Sequence, residues 1–205
     1  MNGWRRVLGY VSSSLAGIFY RYSFECKIDW SRPYIFCPNH TSNLDITAIT
    51  LLTKSNFAFL GKEELLKNPV TKLFFKTIDI PVNRESKIGS FRAFKKGEEY
   101  LKKGISLAIF PEGTISDHYP PKLSEFKNGP FRLAIEHQIP IIPVTLVNVW
   151  QKMWDDGSAF GSRPGICDIR VHRPIDTSHL SVDDVDQLKE QVYNIIYSEL
   201  QKHEA

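Results

Sequence analysis

Short, almost wholly apolar runs alternate along this chain with longer segments of helical periodicity, and this alternation restricts its fold more than any other feature. Four runs indicate buried strands, at residues 34–37, 56–60, 105–110 and 139–147. Weaker strands are indicated at residues 78–82 and 167–171. Strands that alternate with helices of this length are typical of α/β proteins. We therefore expect a single-domain α/β sandwich with a largely parallel central sheet flanked by helices.

Helix signals fill the segments between these strands. One helix is expected directly after Ser42 or Asn43, either of which can cap it. Pro69 is expected to break the second helical segment into two short helices, and Ser86 to cap the third, which stops at Gly104. These later segments cover residues 62–76, 86–103, 129–137 and 181–202.

Composition narrows the class of protein. A chain of 205 residues that is 42% hydrophobic can form one domain with its own core. The three cysteines include no CxxC pair, which excludes a disulfide scaffold and a cysteine zinc site and fits a reducing compartment. The net charge is +3, but residues 1–110 carry 17 basic and only 9 acidic side chains. Such a basic half is expected to attract phosphate groups.

An apolar segment near the N-terminus is the main membrane signal. Its 14 uncharged residues, 7–20, would form a helix of about 21 Å, too short for a hydrocarbon core of roughly 30 Å. We expect an interfacial membrane-associated segment over residues 1–24 and the folded domain over residues 25–205. A signal peptide and an ordinary helix packed on the core are the alternatives. The interfacial model places these aromatic and basic side chains at headgroup depth: Trp4, Arg5, Arg6, Tyr10, Phe19, Tyr20, Arg21 and Tyr22.

Polar residues follow the first predicted strand directly, in the sequence NHTSNLD at residues 39–45. Asp45 comes five residues after His40, so its carboxylate can fold back to accept the imidazole N–H and leave the other ring nitrogen as a base. The chain has no GxSxG, so the reacting hydroxyl is expected from the substrate. Backbone N–H groups at the start of the next helix are expected to stabilise an oxyanion. The alternative is a capped helix with a surface histidine.

A second polar stretch, FPEGT at residues 110–114, follows another predicted strand. If the two strands are parallel, Glu112 and Thr114 lie at the same sheet edge as His40. Gly113 permits close approach of the backbone to a ligand. Arg84 follows a short strand and can hold a phosphate in a bidentate manner, with a solvated surface arginine as the alternative.

In order, NHTSNLD, the arginine after a short strand, FPEGT and IPIIPV at residues 139–144 resemble the motifs of the glycerophospholipid acyltransferase family. The resemblance is greatest to lysophosphatidate (1-acyl-sn-glycerol-3-phosphate) acyltransferases and extends over residues 33–147. It implies a glycerol-3-phosphate acyltransferase-like fold. It also implies that His40 is the general base and Asp45 its orienting partner.

The same resemblance implies the substrates and their contacts. Acyl-CoA or acyl carrier protein supplies the acyl group as a co-substrate, a lysophospholipid accepts it, and neither a metal nor a further cofactor is required. Arg84 is expected to hold the phosphate of the acceptor, and Pro143 lies in the block linked to the acyl donor. The remaining substrate-binding residues are Asn39, Glu112, Gly113, Thr114 and Lys127. Ile115 stands where family members that act on phosphate-bearing acceptors often have arginine, so a lyso-aminolipid or another lysophospholipid is the alternative acceptor.

Other classes of function fit the sequence less well. A thioester hydrolase would have no use for Arg84, and a protein that only binds membranes would not need both polar motifs. The lysines of residues 62–76 alternate with apolar side chains and favour an anionic membrane surface over nucleic acid. Cys37 is expected to be a buried, inert thiol. We expect a peripheral or monotopic enzyme at the cytoplasmic face of the cell membrane.

Overall fold

A seven-stranded sheet forms the centre of the molecule. The computed structural model describes residues 2–67, 69–83 and 86–203. The strands are β1 (Ile18–Phe24), β2 (Ile35–Pro38), β3 (Phe57–Lys62), β4 (Ile80–Val82), β5 (Ser106–Ile109), β6 (Ile141–Leu146) and β7 (Gly165–Val171). Their order is β1-β7-β6-β2-β5-β3-β4. Strands β6 and β7 are antiparallel and the other neighbouring pairs are parallel, which confirms the predicted architecture.

Helices cover both faces of this sheet. They are α1 (Asn2–Leu15), α2 (Leu44–Leu52), α3 (Pro69–Thr77), α4 (Lys87–Lys102), α5 (Gly129–Glu136) and α6 (Val185–Gln201). Because successive strand residues point to opposite faces, Ile35 packs in a core with α4, α5 and α6, whereas Phe36 packs in a second core with α2. The sheet is therefore buried on both sides.

The residues predicted to begin or end helices lie at helix ends in the structure. The Ser86 hydroxyl accepts a hydrogen bond from the Gly89 N–H at the start of α4. Gly104, at φ +74°, lies just beyond the end of this helix, in a conformation that favours glycine. Pro69 begins α3 after a short 3₁₀ helix. Asn43 precedes α2, although its side chain makes no capping bond there.

The N-terminal segment differs from the prediction, because residues 18–24 form strand β1 of the central sheet. This strand pairs in parallel with β7 along its whole length. Tyr20 and Tyr22 pack against the core beside α2 rather than extending to headgroup depth, while Phe19 points outward. The predicted boundary between residues 24 and 25 thus divides β1 from the rest of the sheet, and α1 with the turn after it precedes β1.

Arg5 also departs from the predicted position among lipid headgroups. It is buried, with its guanidinium 2.7 Å from the Asp79 carboxylate. Three phenylalanine rings surround it, those of Phe57, Phe59 and Phe74, at 5.1, 5.3 and 4.8 Å from the guanidinium carbon to the ring centres. Burial lowers the pKa of Arg5 and raises that of Asp79. This pair attaches α1 to the sheet. Within the described residues, every helix is too short or too polar to cross a bilayer.

Candidate active site

The two polar stretches meet at one edge of the sheet, where the parallel strands β2 and β5 end. We call this the site edge. His40 lies two residues beyond β2 and Glu112 three residues beyond β5. The backbone N–H of His40 donates to the Glu112 carboxylate at 2.7 Å. The predicted juxtaposition of these two motifs is therefore observed.

His40 and Asp45 form a hydrogen-bonded pair at this edge. The distance from His40 Nδ1 to Asp45 Oδ2 is 2.9 Å. Because the carboxylate can only accept, Nδ1 carries the proton and Nε2 is left as the basic nitrogen. The Asp45 side chain is fully buried, whereas 15% of the His40 side chain is exposed. The buried carboxylate therefore orients the imidazole, and the exposed part of the ring is accessible to an incoming hydroxyl.

The same carboxylate oxygen shapes the loop between β2 and α2. Besides the His40 ring, Asp45 Oδ2 accepts the backbone N–H groups of Thr41 at 2.6 Å and Ser42 at 2.8 Å. Three N–H donors converging on one oxygen compensate the burial of this charge. A spacing of five residues thus allows the chain from His40 to Asp45 to curve around one carboxylate oxygen.

Four backbone N–H groups before and at the start of α2 are already hydrogen-bonded. The N–H groups of Thr41 and Ser42 are taken by Asp45. The Asn43 N–H donates to the Asp155 carbonyl at 2.8 Å, and the Leu44 N–H donates to the Ser42 hydroxyl at 3.1 Å. Because each of these four donors is already bonded, stabilisation of an oxyanion by the other N–H groups in the first turn of α2 stays a prediction.

Phe110 is a site residue that the sequence pattern did not identify. Its ring stacks on the His40 imidazole, with 4.0 Å between ring centres and an interplanar angle of 21°. Phe59 stacks behind Phe110 at 6.3 Å. The signal available in the sequence is an aromatic residue where an apolar strand passes into the FPEGT motif. Its ring restricts the orientation of the imidazole.

The Glu112 carboxylate is hydrogen-bonded to the loop after β2 and to the segment after β5. One carboxylate oxygen accepts from the His40 N–H, and the other accepts from the Ser124 N–H at 2.8 Å. Burial of the carboxyl raises the pKa of Glu112 to about 7. With both oxygens bonded to the backbone, Glu112 holds the site together from within rather than facing a substrate.

Replacing Glu112 with glutamine is expected to lower the free energy of unfolding at pH 5 by about 1–3 kcal/mol, because the amide NH₂ then faces one of the two backbone N–H donors. Denaturant unfolding measures this loss. Glu125→Gln, at an exposed position nearby, is the matched control. Equal stability of Glu112→Gln and the wild type would contradict the assigned bonds.

Glu112 is also expected to make stability depend on pH. Its pKa rises from 4.5 when unfolded to about 7 when folded, so the folded state binds more protons between these values. The stabilising contribution of this group is complete below pH 4.5 and is lost as the pH rises through 7. Unfolding measured from pH 4 to 8 should show this decline in the wild type and not in Glu112→Gln.

Two predicted substrate-binding residues belong instead to the sheet. The Asn39 side chain accepts from the Leu146 N–H at 2.7 Å and donates to its carbonyl at 3.2 Å, which extends the β2–β6 pairing. Pro143 is buried within β6, opposite Cys37 of β2. Burial raises the pKa of the Cys37 thiol, as expected of an inert cysteine. Contact of Asn39 or Pro143 with a substrate stays a prediction.

The other predicted residues lie nearer to the surface of the site edge. Gly113 has φ +78°, a conformation that favours glycine. Thr114 and Lys127 have exposed side chains, and the Lys127 N–H donates to the Pro111 carbonyl at 2.9 Å. Arg84 lies outside the described residues, so its role remains a prediction. Among the described residues, no group of three or more histidine, cysteine, aspartate or glutamate side chains is placed to bind a metal.

Comparison with known proteins gives one family. A family model described as Acyltransferase matches residues 20–147. Chloroplastic 1-acyl-sn-glycerol-3-phosphate acyltransferase LPAT1 of Arabidopsis thaliana is 31% identical over 73% of this chain and 41% of its own length. The alpha form of 1-acyl-sn-glycerol-3-phosphate acyltransferase from Mus musculus is 27% identical over 79% of this chain and 56% of its own. The chain thus spans about half the length of these curated relatives.

A solved structure has the same fold. The crystal structure of the 1-acyl-sn-glycerophosphate acyltransferase PlsC from Thermotoga maritima matches with a TM-score of 0.82. The match covers 100% of this chain and 80% of that one, at 22% sequence identity. At this level of identity the likeness establishes the architecture, and the chemistry is argued from the site itself.

Proposed function

The chain belongs to the acyltransferase family, and on that premise we propose that it transfers a fatty acyl group from an acyl thioester to the free hydroxyl of 1-acyl-sn-glycerol-3-phosphate, giving phosphatidic acid. Acyl-CoA and acyl carrier protein are the two candidate donors. The observation that carries the proposal is the His40–Asp45 pair, which leaves a basic ring nitrogen at an open sheet edge. The names of the relatives support this acceptor.

The proposed mechanism is direct transfer while both substrates are bound. His40 Nε2 takes the proton of the acceptor hydroxyl as its oxygen attacks the thioester carbonyl. The tetrahedral intermediate collapses with loss of the thiolate, which receives the proton back from the imidazolium. Asp45 stabilises the positive charge that His40 carries between these steps. Holding the two substrates together contributes much of the rate acceleration.

The identity of the acceptor depends on cations near the site edge. Arg84, in the position that matches the family motif, supports a phosphate-bearing acceptor. Ile115 stands where family members that act on phosphate-bearing acceptors often have arginine, and it lies half-buried beside Thr114. This substitution favours a second candidate, in which the same chemistry acylates a lyso-aminolipid or another lysophospholipid.

The reaction is tested by release of free thiol from a long-chain acyl-CoA, measured with and without lysophosphatidate. The proposal expects release that depends on the acceptor and phosphatidic acid as the product. Release without an acceptor would instead indicate a hydrolase. Parallel reactions with acyl carrier protein and with a lyso-aminolipid identify the donor and acceptor. Inactivity in every combination would overturn the proposed function.

We also propose that the protein lies peripherally on the cytoplasmic face of the cell membrane, through α1. The face of this helix that packs inward carries the polar side chains of Asn2, Arg5 and Ser13, together with Gly9. The opposite face is apolar and exposed, with Trp4, Val7, Leu8, Val11 and Leu15. A helix that buries its polar side and exposes its apolar side is suited to the interfacial region of a bilayer.

Changing Leu8 and Leu15 together to aspartate is expected to weaken binding to anionic vesicles at least about tenfold, because two apolar contacts become charges. The fold should be retained, since these side chains are 53% and 85% exposed. Co-sedimentation with vesicles measures the binding. Val182→Asp, at an exposed position far along the chain, is the control. Unchanged binding of the double variant would place membrane attachment elsewhere.

A further inference from the structure

Four aromatic side chains form a cluster at the site edge, which we call the aromatic cluster: Tyr119, Trp150, Trp154 and Phe160. Tyr119 contacts the other three, with 5.6 Å between ring centres to Trp150, 5.5 Å to Trp154 and 4.3 Å to Phe160. Trp154 and Phe160 also contact each other at 5.6 Å. Tyr119 comes from the segment after β5 and the other three from the segment after β6, so the cluster joins two loops.

The aromatic cluster is fixed directly to the catalytic loop. Asp155, which follows Trp154, donates its N–H to the Thr41 carbonyl at 3.1 Å and accepts the Asn43 N–H at 2.8 Å. These bonds form a short parallel bridge between Ser42 and Asp155. The segment that carries Trp154 is therefore hydrogen-bonded directly to the loop that positions His40.

Much of this aromatic surface faces water. Phe160 is 63% exposed and Tyr119 46% exposed, and both tryptophans are half-buried. Within two residues of these rings in sequence lie three carboxylates, Asp117, Asp155 and Asp156, and one lysine, Lys152. This net negative charge disfavours an anionic partner such as nucleic acid. Exposed tyrosine, tryptophan and phenylalanine rings with no excess of basic neighbours are instead suited to the neutral, interfacial layer of a bilayer.

The loop that carries the aromatic cluster continues to the C-terminal end of α1. The Gly165 N–H donates to the Gly17 carbonyl at 2.9 Å, and Pro164 packs against Gly17. Leu15, the last residue of the exposed apolar face of α1, lies two residues before Gly17. The aromatic cluster and the α1 face are thus connected at the same edge of the sheet.

We propose that the aromatic cluster is a second bilayer contact, which enters the headgroup layer beside His40. The inference rests on the proposed function, because it is a lipid acceptor that has to reach the base without leaving its leaflet. The α1 face holds the protein to the bilayer, while the aromatic cluster turns the site edge toward it. Two separated contacts define an orientation, which one helix alone does not.

The first test is partition of Phe160→Ser onto neutral phosphatidylcholine vesicles. We expect about fivefold weaker binding, equal at low and high salt, because the lost contact is apolar rather than electrostatic. Phe160→Trp is expected to bind at least as well as the wild type. Tyr197→Ser, which removes a 44% exposed ring on α6, is the matched control and should bind normally. Equal binding of Phe160→Ser and the wild type would overturn the proposal.

The second test observes insertion directly in a Trp4→Phe, Trp30→Phe background, which leaves Trp150 and Trp154 as the two tryptophans of the chain. Brominated phosphatidylcholine should quench the emission of Trp150 and Trp154, since bromine quenches only nearby indoles. Absence of quenching while the protein is bound to vesicles would overturn the proposal. Neither measurement needs turnover, so both remain decisive if the proposed reaction fails.

A third comparison links the contact to the reaction. Phe160→Ser should lose activity on lysophosphatidate embedded in vesicles and keep wild-type activity on a short-chain, monomeric acceptor. Equal losses on both acceptors would indicate a defect in the site itself and count against the proposal. Wild-type inactivity on both acceptors would instead refute the proposed function.

Discussion

Replacing His40 with alanine is expected to lower kcat by a factor of about 10² to 10⁴, the usual contribution of a positioned general base. The imidazole contacts the Asp45 carboxylate and the Phe110 ring, and its loss removes the proton acceptor without removing the two backbone N–H bonds to Asp45. The loop should therefore keep its shape. Acceptor-dependent thiol release measures the effect, together with a thermal melt.

The matched control for this variant is His179→Ala, which removes a histidine whose side chain is 70% exposed. It should keep wild-type kcat. Added imidazole is expected to restore part of the activity of His40→Ala, because the removed side chain leaves a space against Phe110 that a small base can enter. Wild-type activity of His40→Ala would exclude this histidine as the base.

Asp45→Asn is expected to separate the charge of this residue from its structural role. The amide oxygen can accept the same three N–H groups as Oδ2, and the NH₂ takes the place of Oδ1, a buried atom with no assigned hydrogen-bond partner. Stability should thus be close to that of the wild type, since a buried charge is removed and its geometry kept. We expect kcat to fall about 100-fold, because a neutral amide does not stabilise the imidazolium.

The comparison variant is Asp45→Ala, which leaves the N–H groups of Thr41 and Ser42 without their acceptor. It should lose about 3 kcal/mol of stability as well as activity. Denaturant unfolding and kcat are measured for both variants. If Asp45→Asn lost activity only in proportion to its folded fraction, Asp45 would be a structural residue rather than a partner of the base.

The sequence predicted those features that follow from local patterns or from the general geometry of a parallel sheet. Strand ends follow from short apolar runs, and polar motifs after parallel strands meet at one edge. The meeting of His40 with Glu112 follows from this rule alone. The pairing of His40 with Asp45 follows from a spacing of five residues, which is local.

Side-chain contacts with distant partners that no rule of sheet geometry describes were not predictable in this way. Arg5 resembles a headgroup cation until Asp79, 74 residues away, is brought next to it. Asn39 resembles a substrate ligand until its bonds to Leu146, 107 residues away, are known. Strand β1 was missed because the apolar run at residues 7–20 extends from a helix into a strand without a charge to divide them.

The parallel pairing of β1 with β7 has a consequence for the order in which the protein assembles on the ribosome. The paired residues of these strands, such as Arg21 and Asp168, are 147 positions apart. The first strand to be translated therefore waits for the last one before its edge of the sheet can close. Helix α1 leaves the exit tunnel ahead of both, so its apolar face is available to a bilayer before the domain behind it is complete.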